Sequence, residues 1–220
     1  MKVIEIFGSI DGEGKRTGQL ATFIRLAGCN LRCGYCDTTY SFDASKALEM
    51  SINEIIIECK KIGYHNITLT GGEPLIHKDS IMLIKTLCRL GYQVNIETNG
   101  SIDLKEYIEL RNKTNLDFFF TVDYKTKFSL MNDYMNENSF KYLDDKKDLV
   151  KCVVANKEDM DDALQYLDSF NKNFNIWFSP VFKEIEPKEI VEYVKAKNRQ
   201  DITIQVQLHK IIWEPDKRGV

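Results

Sequence analysis

Residues 51–72 read SINEIIIECKKIGYHNITLTGG, a helix followed by a strand, and they set the fold class of the chain. Ser51 with Glu54 three places later is a capping-box pattern at a helix start. Apolar residues recur through Ile62, and Gly63 stops the helix. Residues 66–70 (NITLT) then read as a short strand closed by Gly71-Gly72. The rhythm extends both ways. Upstream, residues 19–27 (QLATFIRLA) predict a strand running into a loop at Gly28. Downstream come a helix over 79–90, with Asp79 as N-cap and Gly91 as stop, a strand over 93–98, a helix over 103–111 and a strand over 116–124. A polar stretch over 126–147 predicts a loop with short helical turns. Strands over 149–155, 175–181 and 202–208 alternate with helices over 157–170 and 187–197, the latter beginning at Pro187.

Such alternation implies right-handed crossovers and a parallel sheet, hence an α/β fold. No repeat, low-complexity segment or linker interrupts it, so residues 1–220 are expected to form a single domain. Ligands collect at the carboxyl ends of strands in sheets of this kind. The loops after Ala27, Thr70, Thr98 and Asp123 carry GCNLRCGYCDT, GGEP, NG and YK, and are expected to meet at one end of the sheet.

Lys and Arg number 30 against 33 Asp and Glu, and no basic run is present, which argues against a nucleic-acid partner. No apolar stretch is long enough to span a bilayer and no secretory signal is visible, so a cytoplasmic location and no membrane partner are expected. Three of the six cysteines, Cys29, Cys33 and Cys36, fall in a C-x3-C-x2-C cluster; Cys59, Cys88 and Cys152 are scattered on apolar faces and read as core. Three thiolates can hold three irons of a 4Fe–4S cluster and leave the fourth open to a small molecule. A structural zinc site wants four ligands, and His65, His77 and His209 all lie far off in sequence. The spacing favours a cluster and leaves zinc and ordinary thiols as alternatives.

Two further features carry a resemblance: Tyr35 just before the last cysteine of the cluster, and Thr70-Gly71-Gly72-Glu73-Pro74 after the next predicted strand. With them the chain resembles the radical S-adenosylmethionine superfamily. The resemblance implies a partial (βα)6-type barrel, trimmed in helices. It also implies a 4Fe–4S cluster on Cys29, Cys33 and Cys36, S-adenosyl-L-methionine on the open iron, and a flavodoxin- or ferredoxin-type electron donor. The GGEP turn would contact the methionine amino group; glycines permit close backbone approach, and Glu73 can accept from an ammonium.

The segments IFGSIDGEGKRTGQLATFIRLAGCNLRCGYCDT (6–38) and QLHKIIWEPDKRGV (207–220) resemble the 7-carboxy-7-deazaguanine synthase family. That family contracts a ring of 6-carboxy-5,6,7,8-tetrahydropterin with loss of ammonia, uses Mg2+, and is commonly a homodimer. The resemblance implies pterin contacts on Ile10, Asp11 and Gly12 through the backbone, and on Glu13, Arg25, Thr70, His209 and the terminal carboxylate of Val220. The planar fork of Arg25 suits a carboxylate. Cofactor contacts would fall on Tyr35, Cys36, Asp37, Gly72, Glu73, Asn99, Asp123, Tyr124 and Lys125, with Thr38 on Mg2+. Glu97 points either into the site or into the core. The β-rich C-terminus could supply the dimer interface. One departure stands out: many family members carry Ser-Pro-Lys where this chain has Asp123-Tyr124-Lys125. The Asp-x-Lys form also resembles activases of glycyl-radical enzymes, the nearest rival reading; a non-catalytic metal-binding module is the rival of another class.

Overall fold

The computed structural model describes residues 1–220. In chain order its elements are β1 (Lys2–Ile10), β2 (Leu20–Leu26), β3 (Leu48–Glu49), α1 (Ile52–Ile62), β4 (Asn66–Gly71), α2 (Ser80–Arg89), β5 (Gln93–Thr98), α3 (Lys105–Thr114), β6 (Phe118–Tyr124), α4 (Glu137–Lys141), β7 (Leu149–Val154), α5 (Lys157–Asp168), β8 (Ile176–Pro180), α6 (Pro187–Ala196), β9 (Ile202–Ile204) and α7 (Leu208–Ile212). The strands form one sheet in the order β3-β1-β2-β4-β5-β6-β7-β8-β9. From β2 to β9 every neighbouring pair is parallel, while β1 runs antiparallel to β2 and β3 antiparallel to β1. The βα units from β2–α1 to β8–α6 build a partial (βα)6-type barrel whose edges, β3 and β9, do not pair. Its helices are trimmed, α4 to a single turn of 5 residues.

Local chemistry explains several elements. The capping box of α1 forms as the sequence predicts, Ser51 Oγ accepting from the Glu54 N–H and Glu54 from the Ser51 N–H. Gly63 closes that helix in the left-handed region at φ 83. Asp79 precedes α2 but makes no side-chain cap.

Strand alternation then sorts the side chains. Ile67 and Leu69 of β4, Val94 and Ile96 of β5, Phe118, Phe120, Val122 and Tyr124 of β6, and Val150, Cys152 and Val154 of β7 face the helices in one cluster of 36 buried apolar residues. Their neighbours, Thr68 and Thr70, Asn95 and Glu97, Thr121 and Asp123, and Lys151, face the barrel interior, which is therefore polar. Cys59 and Cys152 are buried in the apolar layer, and Cys88 is partly exposed at its margin.

Two segments differ from the sequence expectation. Residues 2–10, not predicted as an element, form β1, a strand whose outer edge pairs only briefly with β3. Residues 202–208 were expected to be one strand, but β9 stops at Ile204. Gln205 turns inward to accept from the Gly14 N–H at 2.8 Å, and Leu208 N–H bonds Gly12 O at 3.1 Å, starting α7. The expected β-rich C-terminus is therefore a short strand and a helical turn.

The floor of the barrel is a buried ion pair. Arg16 Nε donates to Asp11 Oδ2 at 2.9 Å, and the two side chains are 5% and 2% exposed. The guanidinium also donates to Ile67 O, the Thr68 hydroxyl and Gln93 O, and lies over Phe119. Thr68 in turn donates to Asp11 Oδ1 at 2.6 Å. These groups sit at the starts of β4, β5 and β6, away from the cysteine loop. Arg16→Leu would strand the Asp11 carboxylate in the floor, and urea unfolding should show a loss of about 3–5 kcal/mol.

Candidate active site

The cysteine loop leaves β2 at Gly28, whose N–H bonds Ser41 O at 2.7 Å. Gly34 N–H bonds Ser129 O at 3.1 Å, tying the loop to the turn after β6. Cys29 Sγ accepts from the Leu31 N–H at 3.4 Å and from Asn99 Nδ2 at 3.6 Å. Asn99 Nδ2 also donates to Asn30 Oδ1 at 3.0 Å, so the loop after β5 orients the first cysteine. Cys29, Cys33 and Cys36 are free and half-buried.

The Gly71-Gly72 turn packs on this loop. A Cβ on Gly72 would lie 2.1 Å from Gly28 O and 2.8 Å from Cys29 Cβ; one on Gly71 would lie 2.2 Å from Leu26 O. The glycines are needed because the turn presses on its own chain, which the sequence reading had assigned to approach of a ligand. Gly72 N–H bonds Leu26 O and Glu73 N–H bonds Gly28 O, at 3.1 and 2.8 Å. Glu73 is fully buried, and its carboxylate accepts from the Leu75 N–H, the Thr98 hydroxyl and the Asn99 N–H. Burial outweighs those bonds and pushes its carboxyl up to about 7.

These loops border a cavity of about 760 Å3 inside the barrel mouth. Of the residues predicted from sequence, Ile10, Gly12, Glu13, Arg25, Thr70, His209 and Val220 line it, as do Tyr35, Asp37, Gly72, Asn99, Asp123, Lys125, Thr38 and the three clustered cysteines. Three others do not. Asp11 belongs to the floor, its N–H on Gln19 O and its carbonyl accepting from Gly18 N–H. Glu73 is consumed by its own turn. Tyr124 lies on the outer face of β6, stacked on Tyr166 at 4.7 Å, with its hydroxyl on Asp162. Alternation along β6 makes that outcome unavoidable once Asp123 faces inward.

Charge inside the cavity is paired. Lys151 Nζ lies 3.3 Å from Glu13 Oε2 and 3.6 Å from Asp123 Oδ1, and Lys125 Nζ lies 3.0 Å from Asp123 Oδ2. Burial works against both lysines' charge, but the acidic groups around them, Asp123 foremost, together outweigh it and hold both protonated. Glu13 also takes the Ser179 hydroxyl at 2.6 Å; burial opposes its charge, yet Lys151 together with the Ser179 and Gln207 hydrogen bonds keeps its carboxyl below the usual range. Asp37 is held low in the same way, against its burial, by Lys210 at 3.2 Å. Burial pushes the His209 imidazole down. Glu97, left open by the sequence, points inward and accepts from Thr70 Oγ1 at 2.9 Å. Arg25 donates from Nε to Glu5 Oε1 at 2.7 Å, and its terminal nitrogens bond no protein acceptor. Phe7 and Phe23 stack at 5.0 Å as an apolar wall.

The donor set suits a cluster better than one ion. No three His, Cys, Asp or Glu side chains converge on a single metal position. The three thiols instead border one cavity, as a cluster that takes each thiolate on a different iron requires. The Tyr35 hydroxyl is buried beside the cysteine loop without a hydrogen-bond partner, and Asp123 Oδ1 has only the longer ion pair to Lys151 at 3.6 Å.

Known proteins agree with this geometry. A family profile described as the radical SAM superfamily matches residues 23–126. A protein of Clostridium acetobutylicum named 7-carboxy-7-deazaguanine synthase is 45% identical, covering 100% of this chain and 99% of that one. One of the same name from Leptospira interrogans is 34% identical, covering 99% and 97%. The chain belongs to the 7-carboxy-7-deazaguanine synthase family. The crystal structure of QueE from Escherichia coli has the same fold, with a TM-score of 0.75 at 22% identity, covering 94% of this chain and 93% of that one.

Within a 7-carboxy-7-deazaguanine synthase framework, the Asp123-Tyr124-Lys125 departure resolves by alternation: Asp123 and Lys125 face the cavity and Tyr124 serves the core. Lys151 is the residue that sequence reasoning missed. The sequence offers only a partial signal for it, a single charge in the apolar strand LVKCVV, as Arg25 is in LATFIRL.

Gly72→Ala should displace the cysteine loop, and iron bound per chain after anaerobic reconstitution should fall by more than half. Glu73 gives a pH test. Its folded value of about 7 exceeds the ordinary 4.5, so the folded state binds the extra proton between them, and stability should fall as pH rises across that interval. Chemical denaturation of Glu73→Gln should show a flatter profile over the same interval.

Proposed function

We propose that this protein converts 6-carboxy-5,6,7,8-tetrahydropterin to 7-carboxy-7-deazaguanine, contracting a ring with release of ammonia in queuosine and deazapurine biosynthesis. The observation that carries this reading is one cavity with three free thiols on one wall and the unpaired edge of Arg25 on another. Cys29, Cys33 and Cys36 would hold a 4Fe–4S cluster. When bound with S-adenosyl-L-methionine, the cluster supplies the electron that starts radical chemistry.

The chain's own residues then bind and orient. Arg25 takes the substrate carboxylate on its free edge, a bidentate match. Phe7 and Phe23 offer a face to the flat pyrimidine ring of the pterin. Glu13, kept ionised by Lys151, accepts from ring N–H groups, and Glu97 does the same from its seat on Thr70. On the cofactor side, Lys125 and Asp123 face the cysteine loop across Tyr35, with Lys125 Nζ at 5.7 Å from the ring centroid. Thr38, 3.9 Å from Cys36 Sγ and 3.3 Å from Asp37 Oδ1, is the proposed Mg2+ contact. So sparse a set of protein oxygens suits an ion that keeps several waters or substrate oxygens in its shell.

The chain is further proposed to act as one domain and as a homodimer in the cytoplasm, reduced by a flavodoxin- or ferredoxin-type donor. A single continuous sheet supports the first point. No helix is long and apolar enough to cross a membrane. The glycyl-radical activase reading is not favoured, since full-length relatives carry the synthase name.

The test is anaerobic turnover of the reconstituted protein with dithionite, Mg2+, S-adenosyl-L-methionine and the carboxylated tetrahydropterin, followed by mass spectrometry. Product in excess over consumed cofactor is expected; 5′-deoxyadenosine alone would return the activase reading. Arg25→Ala should raise KM for the pterin by about 10- to 100-fold, the loss of a charge-assisted contact, with iron content unchanged. Thr38→Ala should shift the Mg2+ titration to higher concentration.

A further inference from the structure

Tyr40 joins three parts of the chain. Its hydroxyl donates to Glu5 Oε1 at 2.9 Å, the same oxygen that accepts from Arg25 Nε at 2.7 Å. Its ring has Arg25 on one side, 5.8 Å from the centroid, and Arg218 stacked at 3.8 Å. Tyr40, Arg25 and Arg218 all line the cavity.

The segment that carries Arg218 is otherwise lightly held. Residues 215–220 all border the cavity. Within them the backbone makes a single turn, Lys217 N–H to Glu214 O at 2.9 Å, and Gly219 takes the left-handed conformation at φ 70. The stack on Tyr40 is thus the main tie between this segment and the barrel. A planar guanidinium suits such a stack better than an ammonium does.

Glu5 matters for a different reason. A carboxylate facing an arginine can take two parallel N–H groups of the fork, the terminal pair included, which would compete with an anionic ligand. Here one Glu5 oxygen is shared between Arg25 Nε and the Tyr40 hydroxyl, which keeps Glu5 on the Nε side. Burial pushes the Tyr40 phenol up to about 12, so the hydroxyl retains the proton it donates.

We propose that Tyr40 is a positioning residue: its ring seats residues 214–220 over the cavity through Arg218, and its hydroxyl, through Glu5, aims the free edge of Arg25 at a ligand carboxylate. The identity of that ligand rests on the function proposed above; the seating of the segment does not.

Two readouts separate these parts. The first needs no substrate: limited trypsin digestion after Lys217 and Arg218, followed by intact mass, alongside hydrogen exchange of residues 214–220. Tyr40→Leu should speed cleavage and exchange there by about tenfold, and Tyr40→Phe, which keeps the ring, should restore protection. Equal protection in wild type and Tyr40→Leu would overturn the seating role. The second readout is turnover at matched iron content. Tyr40→Phe should raise KM for the carboxylated pterin by about fivefold while kcat falls by less than about twofold. An unchanged KM would overturn the aiming role. Wild-type protein that leaves the pterin untouched would instead overturn the proposed function, and the digestion experiment would still decide the seating.

Discussion

Charge placed inside the barrel is the constraint to which the rest of the structure answers. An ion taken out of water costs several kcal/mol unless a partner and hydrogen bonds replace the lost hydration. Arg25, Glu97, Asp123 and Lys151 all face inward from strands, so each must find its partner within the barrel. Those partners come mostly from elsewhere in the chain: Glu5 from β1, Glu13 from the loop that follows it, and Lys125 from the turn after β6. Pairing the charges therefore pins these segments around the mouth. The Arg16–Asp11 pair does the same at the floor, where one guanidinium bonds the starts of β4 and β5 together. The pairing also leaves the outer edge of Arg25 without a protein acceptor at the cavity.

Much of this was legible in the sequence, and the reasons differ from part to part. The elements from α1 to α6 follow local rules, such as a capping box, stop glycines and period-two strands, so periodicity found them. β1 escaped because Glu5 and Gly8 break its apolar run, and its pairing lies with a strand whose partner had to be known first. The last strand was overextended because Gln205, Gln207 and Leu208 carry no local stop; long-range bonds to Gly12 and Gly14 turn the chain there. The cysteine cluster was legible because its ligand spacing is local. Lys151 was not, since its role depends on the register that sets β7 beside β6, with Lys151 opposite Asp123.

The glycine pair shows how a motif can be read correctly in position and differently in cause. Gly71 and Gly72 sit where the carboxyl ends of the strands gather, as ligand-contact motifs do. The close approach that requires them is to Leu26, Gly28 and Cys29. Glu73 completes the same joint, since its carboxylate binds the Leu75 and Asn99 N–H groups and the Thr98 hydroxyl. Asn99 in turn reaches the Cys29 sulfur. The turn thus holds the first cysteine in place through backbone packing and through Asn99, and it still presents Gly72 to the cavity.

The two walls of the cavity are assembled at very different ranges. The cysteine loop and the glycine turn come from neighbouring strands and form as soon as β2 and β4 pair. The opposite wall joins residues 10–14 to residues 205–210. Gly14 N–H meets Gln205 across 191 residues, and Gln207 meets Glu13 across 194. A Cβ on Gly12 would lie 2.3 Å from His209 Nδ1, so this meeting depends on a glycine there. Closing so long a loop is costly on its own, and it becomes affordable once the intervening βα units have brought β1 and β9 into one sheet. The wall that carries the cysteines is thus built from local motifs that the superfamily profile spans, while the wall facing Arg25 needs both distant segments. One wall is thus set by neighbouring strands and the other by the two ends of the chain, which meet only when the sheet is complete.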